Sequence, residues 1–234
     1  IVHSVVLYVL RLLLNEDVPL NEGMMQPVVI KIPEGTILNP VFSDDPLHCP
    51  AVMGGNTETS QRMTDTLLKS LNLAACSQGT MNNVLFGNSD FGYYETVCGG
   101  SGAGNGFHGA SAVHTHMTNT RITDPEILEL RYPVRLEEFS IRQHSGGNGQ
   151  YTGGNGVVRI LKFLQPVQVS VLTQHRAIPP YGLYGGRNGL CGEQYIIKAS
   201  GTIITLQGTD AYDAQTGDKL VLKTPGGGGY GIAE

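Results

Sequence analysis

Glycine is what most restricts how this chain can fold. The 234 residues include 32 glycines, roughly twice the ~7% of an average protein. They cluster at Gly99–Gly106, Gly146–Gly156, Gly182–Gly192 and Gly226–Gly231 instead of recurring at a fixed period. That pattern excludes collagen and a solenoid and predicts tight turns between many short strands. The four consecutive glycines Gly226–Gly229 would be costly to order. Either a ligand or another backbone approaches them closely, or they belong to a flexible tail; on residue type alone the tail is the expectation.

Two helices are predicted in the first third. In Ile1–Asn15 apolar residues run almost all round, with Val5, Val6, Val9, Leu10, Leu13 and Leu14 predicting a buried helix. The second spans about Thr57–Leu73, with Asn56 as its N-cap, Glu58 at the positive end of its dipole, and Met63, Leu67 and Leu71 four residues apart. Pro27–Val41 has strand composition interrupted by a Pro33-Glu34-Gly35 turn. Beyond residue 75, β-branched runs at Val134–Arg142, Gly156–Leu164, Val167–Leu172, Tyr195–Lys198, Thr202–Leu206 and Lys219–Leu222 alternate with glycine turns. A short helix begins after Asp124, which caps Pro125 at the first helical position. The expected class is therefore α+β: two N-terminal helices (1–75) packed on a glycine-turn-rich, mostly antiparallel β region (76–234), in a single domain over 1–234.

Composition narrows the function. A net charge of −5 and a pI near 5.8, with 15 scattered Lys and Arg, give no basic stripe for nucleic acid. Ile1–Leu14 is shorter than the ~20 residues a membrane helix needs, and it lacks the basic start and cleavage site of a signal peptide. Beginning without methionine inside a helix, the sequence reads as a fragment. Cys49, Cys76, Cys98 and Cys191 are far apart with no C-x-x-C pair. Reduced thiols in a cytoplasmic protein are expected, rather than a disulfide framework or structural zinc.

Four segments could carry chemistry. Val113–Arg121 read as a strand would project His114 and His116 to one side, as a proton-transfer or metal-binding pair, or as hydrogen-bonded structural residues. Asn119 and Arg121 would lie on the other face. Tyr94-Glu95-Thr96-Val97-Cys98 leads into Gly99–Gly106, whose amides could cradle an anion or simply form a turn. The run has neither the lysine of a phosphate loop nor the following helix of a dinucleotide fingerprint. Cys98 would be a nucleophile only beside a base or cation. Gln78-Gly79-Thr80-Met81-Asn82-Asn83 offers paired amides for a ligand or for turns. The terminal glycine run is the fourth.

The same segments resemble the hydantoinase B/oxoprolinase family. The resemblance is carried by Gly54-Gly55-Asn56-Thr57-Glu58-Thr59-Ser60-Gln61, Ser77–Asn83, Tyr94-Glu95-Thr96 with its glycines, His116–Glu126, Arg131-Tyr132-Pro133-Val134 and Thr224–Gly231, all in family order. It implies the C-terminal half of a B-type subunit, about half its length, in an ATP-dependent enzyme opening 5-oxoproline or hydantoins through a phosphorylated intermediate. ATP would be bound by an A-type domain or subunit, and the missing N-terminal half would be a second partner. Several members use a divalent metal. Related members are ketone carboxylases, and a structural or assembly role is the non-enzymatic alternative; the isolated chain is expected to be inactive. The roles implied are His114 or His116 as base or metal ligand, with substrate bound by Asn82, Asn83, Glu95, Gly99, Gly100, Asn119 and Arg121. Two departures bear on substrate choice: Thr152 stands where the family often has arginine, and Gly192-Glu193-Gln194 replaces a Gly-x-Asn.

Overall fold

A computed structural model describes residues 1–14, 16–50 and 54–233. Helices α1 (Val2–Leu13) and α2 (Ser60–Ser70) pack on each other, and α3 (Pro125–Arg131) packs on strand β3 (Val134–Ile141). The other strands are β1 (Asn83–Gly87), β2 (Gly92–Thr96), β4 (Val157–Phe163), β5 (Val167–Leu172), β6 (Glu193–Ile197), β7 (Ile203–Thr205), β8 (Thr209–Ala214) and β9 (Lys219–Lys223). They form two antiparallel sheets, ordered β2-β1-β5-β8 and β3-β4-β9-β6-β7. The α+β expectation holds.

The sheets meet through period-2 faces. Val167, Val169 and Val171 of β5 are buried, as are Val157, Leu161 and Phe163 of β4. Phe86 on β1 meets Phe163 edge-on at 5.7 Å between ring centroids. Arg159, the remaining inward position of β4, is also buried and crosses to Glu95 on β2.

A second, non-hydrophobic assembly joins the sheets to the helices. Gly226–Gly229 is buried and threads between four other segments, so the tail expectation is overturned. Gly227 N donates to Gly154 O, Gly228 N to Cys76 O and Gly229 N to Arg187 O, while Gly147 N, Ala103 N and Leu183 N donate back into the run. None of these four glycines has a left-handed φ. Their requirement is the missing Cβ: one at Gly227 would overlap the Ser101 carbonyl, and one at Gly228 the Tyr181 carbonyl.

Several local expectations fail for identifiable reasons. The predicted Ile1–Asn15 helix buries only Val5 and Val9, because α2 covers one side only, and Ile1, Leu12 and Leu13 stay exposed; Asn15 lies outside the described residues. Asn56 is no N-cap: Gly54 in the left-handed region starts a π turn over Gly55–Thr59, and the Asn56 carbonyl accepts from Ser60 Oγ. Pro27–Val41 forms no strand, only a turn in which Thr36 bridges Asn39, with Gly35 at φ 75°. Val113–Arg121 is not a strand either. Val113 bridges Gly99, the chain turns with Thr118 N donating to Thr115 O at 3.1 Å, and His116 adopts φ 47°. The Asp124 cap and Pro125 start are as expected.

Replacing Gly227 with alanine should therefore cost about 3 kcal/mol or more, by overpacking against backbone that cannot repack. Gly92→Ala, in open space on β2, should shift stability by no more than about 0.5 kcal/mol. Thermal unfolding of both variants checks the contrast.

Candidate functional site

Helix α2 turns the wrong face inward. Its buried residues are Ser60, Gln61, Thr64, Asp65 and Leu68, whereas Met63 and Leu67 are only half-buried and Leu71 is exposed. Burying a polar face is unfavourable unless every group finds a partner, and here most do. Gln61 Nε2 donates to Thr115 O at 2.9 Å and Thr118 Oγ1 at 2.7 Å, which fixes the turn carrying His116.

Asp65 is the centre. Its carboxylate accepts from Ser77 N (2.9 Å), Ser77 Oγ (3.0 Å) and His116 Nε2 (3.3 Å), with Cys76 Sγ at 3.5 Å. Tyr181 Oη donates to the Asp65 main-chain carbonyl at 2.7 Å. Burial alone would raise the Asp65 pKa, but the hydrogen bond and charge of His116, then the Ser77 bonds, outweigh it and hold the carboxyl below its ordinary range. An ionised Asp65 accepts only, so in the neutral form of His116 it selects the tautomer protonated at Nε2. Nδ1 is left as an acceptor, 3.4 Å from Tyr8 Oη. Burial, then the Asp65 charge, raises the Tyr8 pKa, so its hydroxyl stays protonated. His116 and Tyr8 line a cavity of about 620 Å³ with Leu68, Ala75, Gly102 and Tyr230.

A second polar network lies behind β1. Glu58 Oε1 accepts from Thr80 Oγ1 (2.9 Å) and Asn83 Nδ2 (2.7 Å), and Asn83 Oδ1 accepts from Tyr94 Oη at 2.7 Å. Burial pushes the Glu58 pKa up to about 7 despite those bonds. Asn82 Nδ2 donates to Gln78 Oε1 at 2.7 Å, and its Oδ1 accepts from Arg176 at 3.0 Å.

The residues expected to bind substrate are thus dispersed. Asn82 and Asn83 are buried and fully engaged. Glu95 takes Arg159 on both oxygens, at 2.8 and 3.0 Å, and Tyr93 Oη at 2.9 Å. Gly99 N donates to Val113 O and Gly100 N to Pro225 O, so these amides offer no free row for a phosphate or oxyanion. Asn119 and Arg121 are exposed, and their side chains form no hydrogen bond or ion pair among the described residues. His114 is half-buried, its Nδ1 has no partner there, and burial, opposed by the Glu95 charge, lowers its pKa. Burial also pushes the Cys98 thiol up to about 11, so it stays protonated. Both His116 nitrogens are engaged by protein, and no group of three or more His, Cys, Asp or Glu among the described residues could hold a metal. The donor set does not fit the His114–His116 metal pair that the family resemblance implies. Sequence reasoning passed over Tyr8, Asp65 and Ser77. The available signal was a polar stripe at helical spacing, Ser60, Gln61, Thr64 and Asp65, inside an otherwise ordinary helix.

Two antiparallel sheets, a backbone seam of glycines and a buried Asp–His pair beside α2 define the class. A sequence model described as hydantoinase B/oxoprolinase matches residues 1–233, and the chain belongs to that family. It is 50% identical over 228 residues to 5-oxoprolinase 1 of Arabidopsis thaliana, covering 97% of this chain and 18% of that protein. The chain therefore spans under a fifth of that relative's length. The crystal structure of ATP-dependent caprolactamase from Pseudomonas jessenii has the same fold, with a TM-score of 0.79 at 24% identity over 98% of this chain and 42% of that one. Nucleotide-free acetone carboxylase matches with a TM-score of 0.77 at 19% identity over 98% and 36%.

The depressed Asp65 pKa sets the sign of one pH effect. A carboxyl whose folded pKa is lowered contributes stability above its ordinary value of 3.8, lost as pH falls through the folded pKa. Asp65→Asn should cost about 3–5 kcal/mol at neutral pH, as for a broken buried pair, and the gap should narrow in acid. Denaturant unfolding against pH measures it; a gap independent of pH would show that Asp65 is not ionised in the folded protein.

Proposed function

We propose that this chain is the C-terminal part of the B-type portion of an ATP-dependent cyclic amidase, one that hydrolyses the ring amide of 5-oxoproline or a hydantoin. The Asp65–His116 pair opening on a cavity carries the reading, and the likeness to 5-oxoprolinase 1 supports the substrate class. An unstrained lactam resists water because its amide is resonance-stabilised. Transfer of a phosphoryl group from ATP to the amide oxygen gives an imidate-like carbon that water can attack. The water takes the place of Tyr8 Oη at His116 Nδ1, which Asp65 holds as an acceptor, and gives up its proton there as the C–O bond forms. Tyr8 Oη, kept protonated, donates a hydrogen bond to the developing negative charge. Collapse of the tetrahedral species then breaks the ring C–N bond, the nitrogen taking the proton back from His116, and leaves an acyl phosphate that a second water hydrolyses to carboxylate and phosphate.

ATP and its phosphoryl transfer belong, in this reading, to an A-type domain or subunit, since the Gly99 and Gly100 amides here are already bonded to backbone carbonyls and form no free row for phosphates. The relative's much greater length leaves room for that part and for the rest of the B-type portion. In this reading the assembly is cytoplasmic, where the four free cysteines would stay reduced.

In the full-length protein with its ATP-binding partner, His116→Ala should lower 5-oxoproline-dependent glutamate release about 10²–10⁴-fold. Asp65→Asn should lower it comparably, and Tyr8→Phe less. Normal turnover by a folded His116→Ala protein would refute the base assignment. Carboxylated product from a ketone, without glutamate release, would move the parent protein to the carboxylase branch.

A further inference from the structure

The outer flank of α2 opens on another cavity, of about 440 Å³, sharing no lining residue with the His116 cavity. Its walls include Arg62, Glu58, Met63, Leu67, Ile37 and Leu38. The volume falls within the range of small-molecule sites, and the half-buried apolar edge of α2 faces it.

The polar groups there are unusual. Arg62 forms no ion pair among the described residues; its guanidinium meets His175 Nε2. That ring is neutral. Its Nδ1–H donates to Ile178 O at 2.6 Å, and burial, then the Arg62 charge, drives its pKa down to about 4. The cation is thus held by a neutral acceptor and lacks a counter-ion. Glu58 is buried, and Thr80 and Asn83 bond its Oε1, while its Oε2 has no partner. A buried carboxyl oxygen without a donor or acceptor is costly unless a ligand completes it.

We propose that this cavity binds a small organic monocarboxylate with a compact apolar body. Its carboxylate would lie on Arg62 and against the unpartnered oxygen of Glu58, its carbon body on Met63, Leu67, Ile37 and Leu38. A guanidinium suits a carboxylate, which it grips with two parallel N–H bonds. One cation in the lining matches one negative charge and disfavours a phosphate dianion beside Glu58. Near neutral pH Glu58 carries its proton much of the time, so Oε2–H can donate to the ligand. As pH rises through about 7 the proton leaves and the two carboxylates repel. The charged and titratable groups facing Glu58 are Arg62 from α2, Arg176 after β5 and Tyr94 from β2. Burial lowers Arg176 only to about 10, and burial, then the Glu58 charge, raises Tyr94 above its ordinary 10.0, leaving Glu58 as the group that sets the trend. The proposal is independent of the ring-opening reading.

Calorimetric titration of the full-length protein with cyclohexanecarboxylate and its neutral isostere cyclohexanecarboxamide tests it. The carboxylate should bind about tenfold or more tightly than the amide, a difference of about 1.4 kcal/mol, and weaken as pH rises through about 7. Arg62→Gln should abolish the preference and Arg62→Lys keep part of it. Glu58→Gln should bind the carboxylate with no pH trend in that range. Equal affinity for the two probes, an unchanged carboxylate affinity in Arg62→Gln, or no saturable carboxylate binding at millimolar concentration would each overturn the site. Should Arg62→Gln fail to fold, the two-probe comparison and the Glu58→Gln pH profile decide the matter alone.

Discussion

Backbone amides meeting backbone carbonyls, with no side chains between them, hold the site in place. The run Gly226–Gly229 bonds to Cys76, Gly154 and Arg187, and Cys76 N in turn donates to Tyr181 O. Ser77 and Tyr181, two of the groups that fix Asp65, are therefore positioned by this seam. Each such bond contributes only about 0.5–1.5 kcal/mol net. Their number, and the absence of anything compressible around them, makes the arrangement stiff. A hydrophobic core can repack around a small change, but backbone packed on backbone has no rotamers to adjust.

Rigidity matters because the group it supports is expensive. Asp65 is buried and ionised, and the desolvation cost of such a charge is recovered only by near-complete hydrogen bonding. Four donors converge on it, three from the Cys76–Ser77 segment and one from the turn at His116. The Glu95–Arg159 pair between the sheets is the contrasting case. There every oxygen is satisfied inside protein, and the pair locks β2 to β4 without facing a cavity.

How much of this was readable from sequence depends on the range of the interaction. Asp124–Pro125 announces α3 because capping is local, and the β-branched runs announce β3, β4 and β5 because a two-residue period needs no partner to be seen. By contrast, β8, Thr-Asp-Ala-Tyr-Asp-Ala, carries weak strand propensity and exists by pairing with β5. His114 and His116 looked like neighbours on a strand. Gln61, 54 residues away, captures the Thr115 carbonyl and turns the chain between them. The glycine run looked like a tail because its partners are carbonyls, which every residue has and no sequence pattern marks. The family motifs mark segments that surround the polar centre, but several of their residues (Asn82, Asn83, Gly99, Gly100) are engaged inside the protein.

The seam also has an order in time. Its contributors sit near residues 76, 101, 147, 154, 182 and 187, and the glycine segment that joins them follows them all in the sequence. On a ribosome everything before residue 226 emerges with its carbonyls and amides open to water. The two sheets can begin to pair, but the central thread is not yet available. Long-range contacts of this kind close slowly, so the nascent protein passes through a stage with Cys76 and Tyr181 unanchored and Asp65 not yet enclosed. Assembly of the polar centre is thus tied to synthesis through Gly229, and a chain released before that point would have the sheets without the enclosed Asp65.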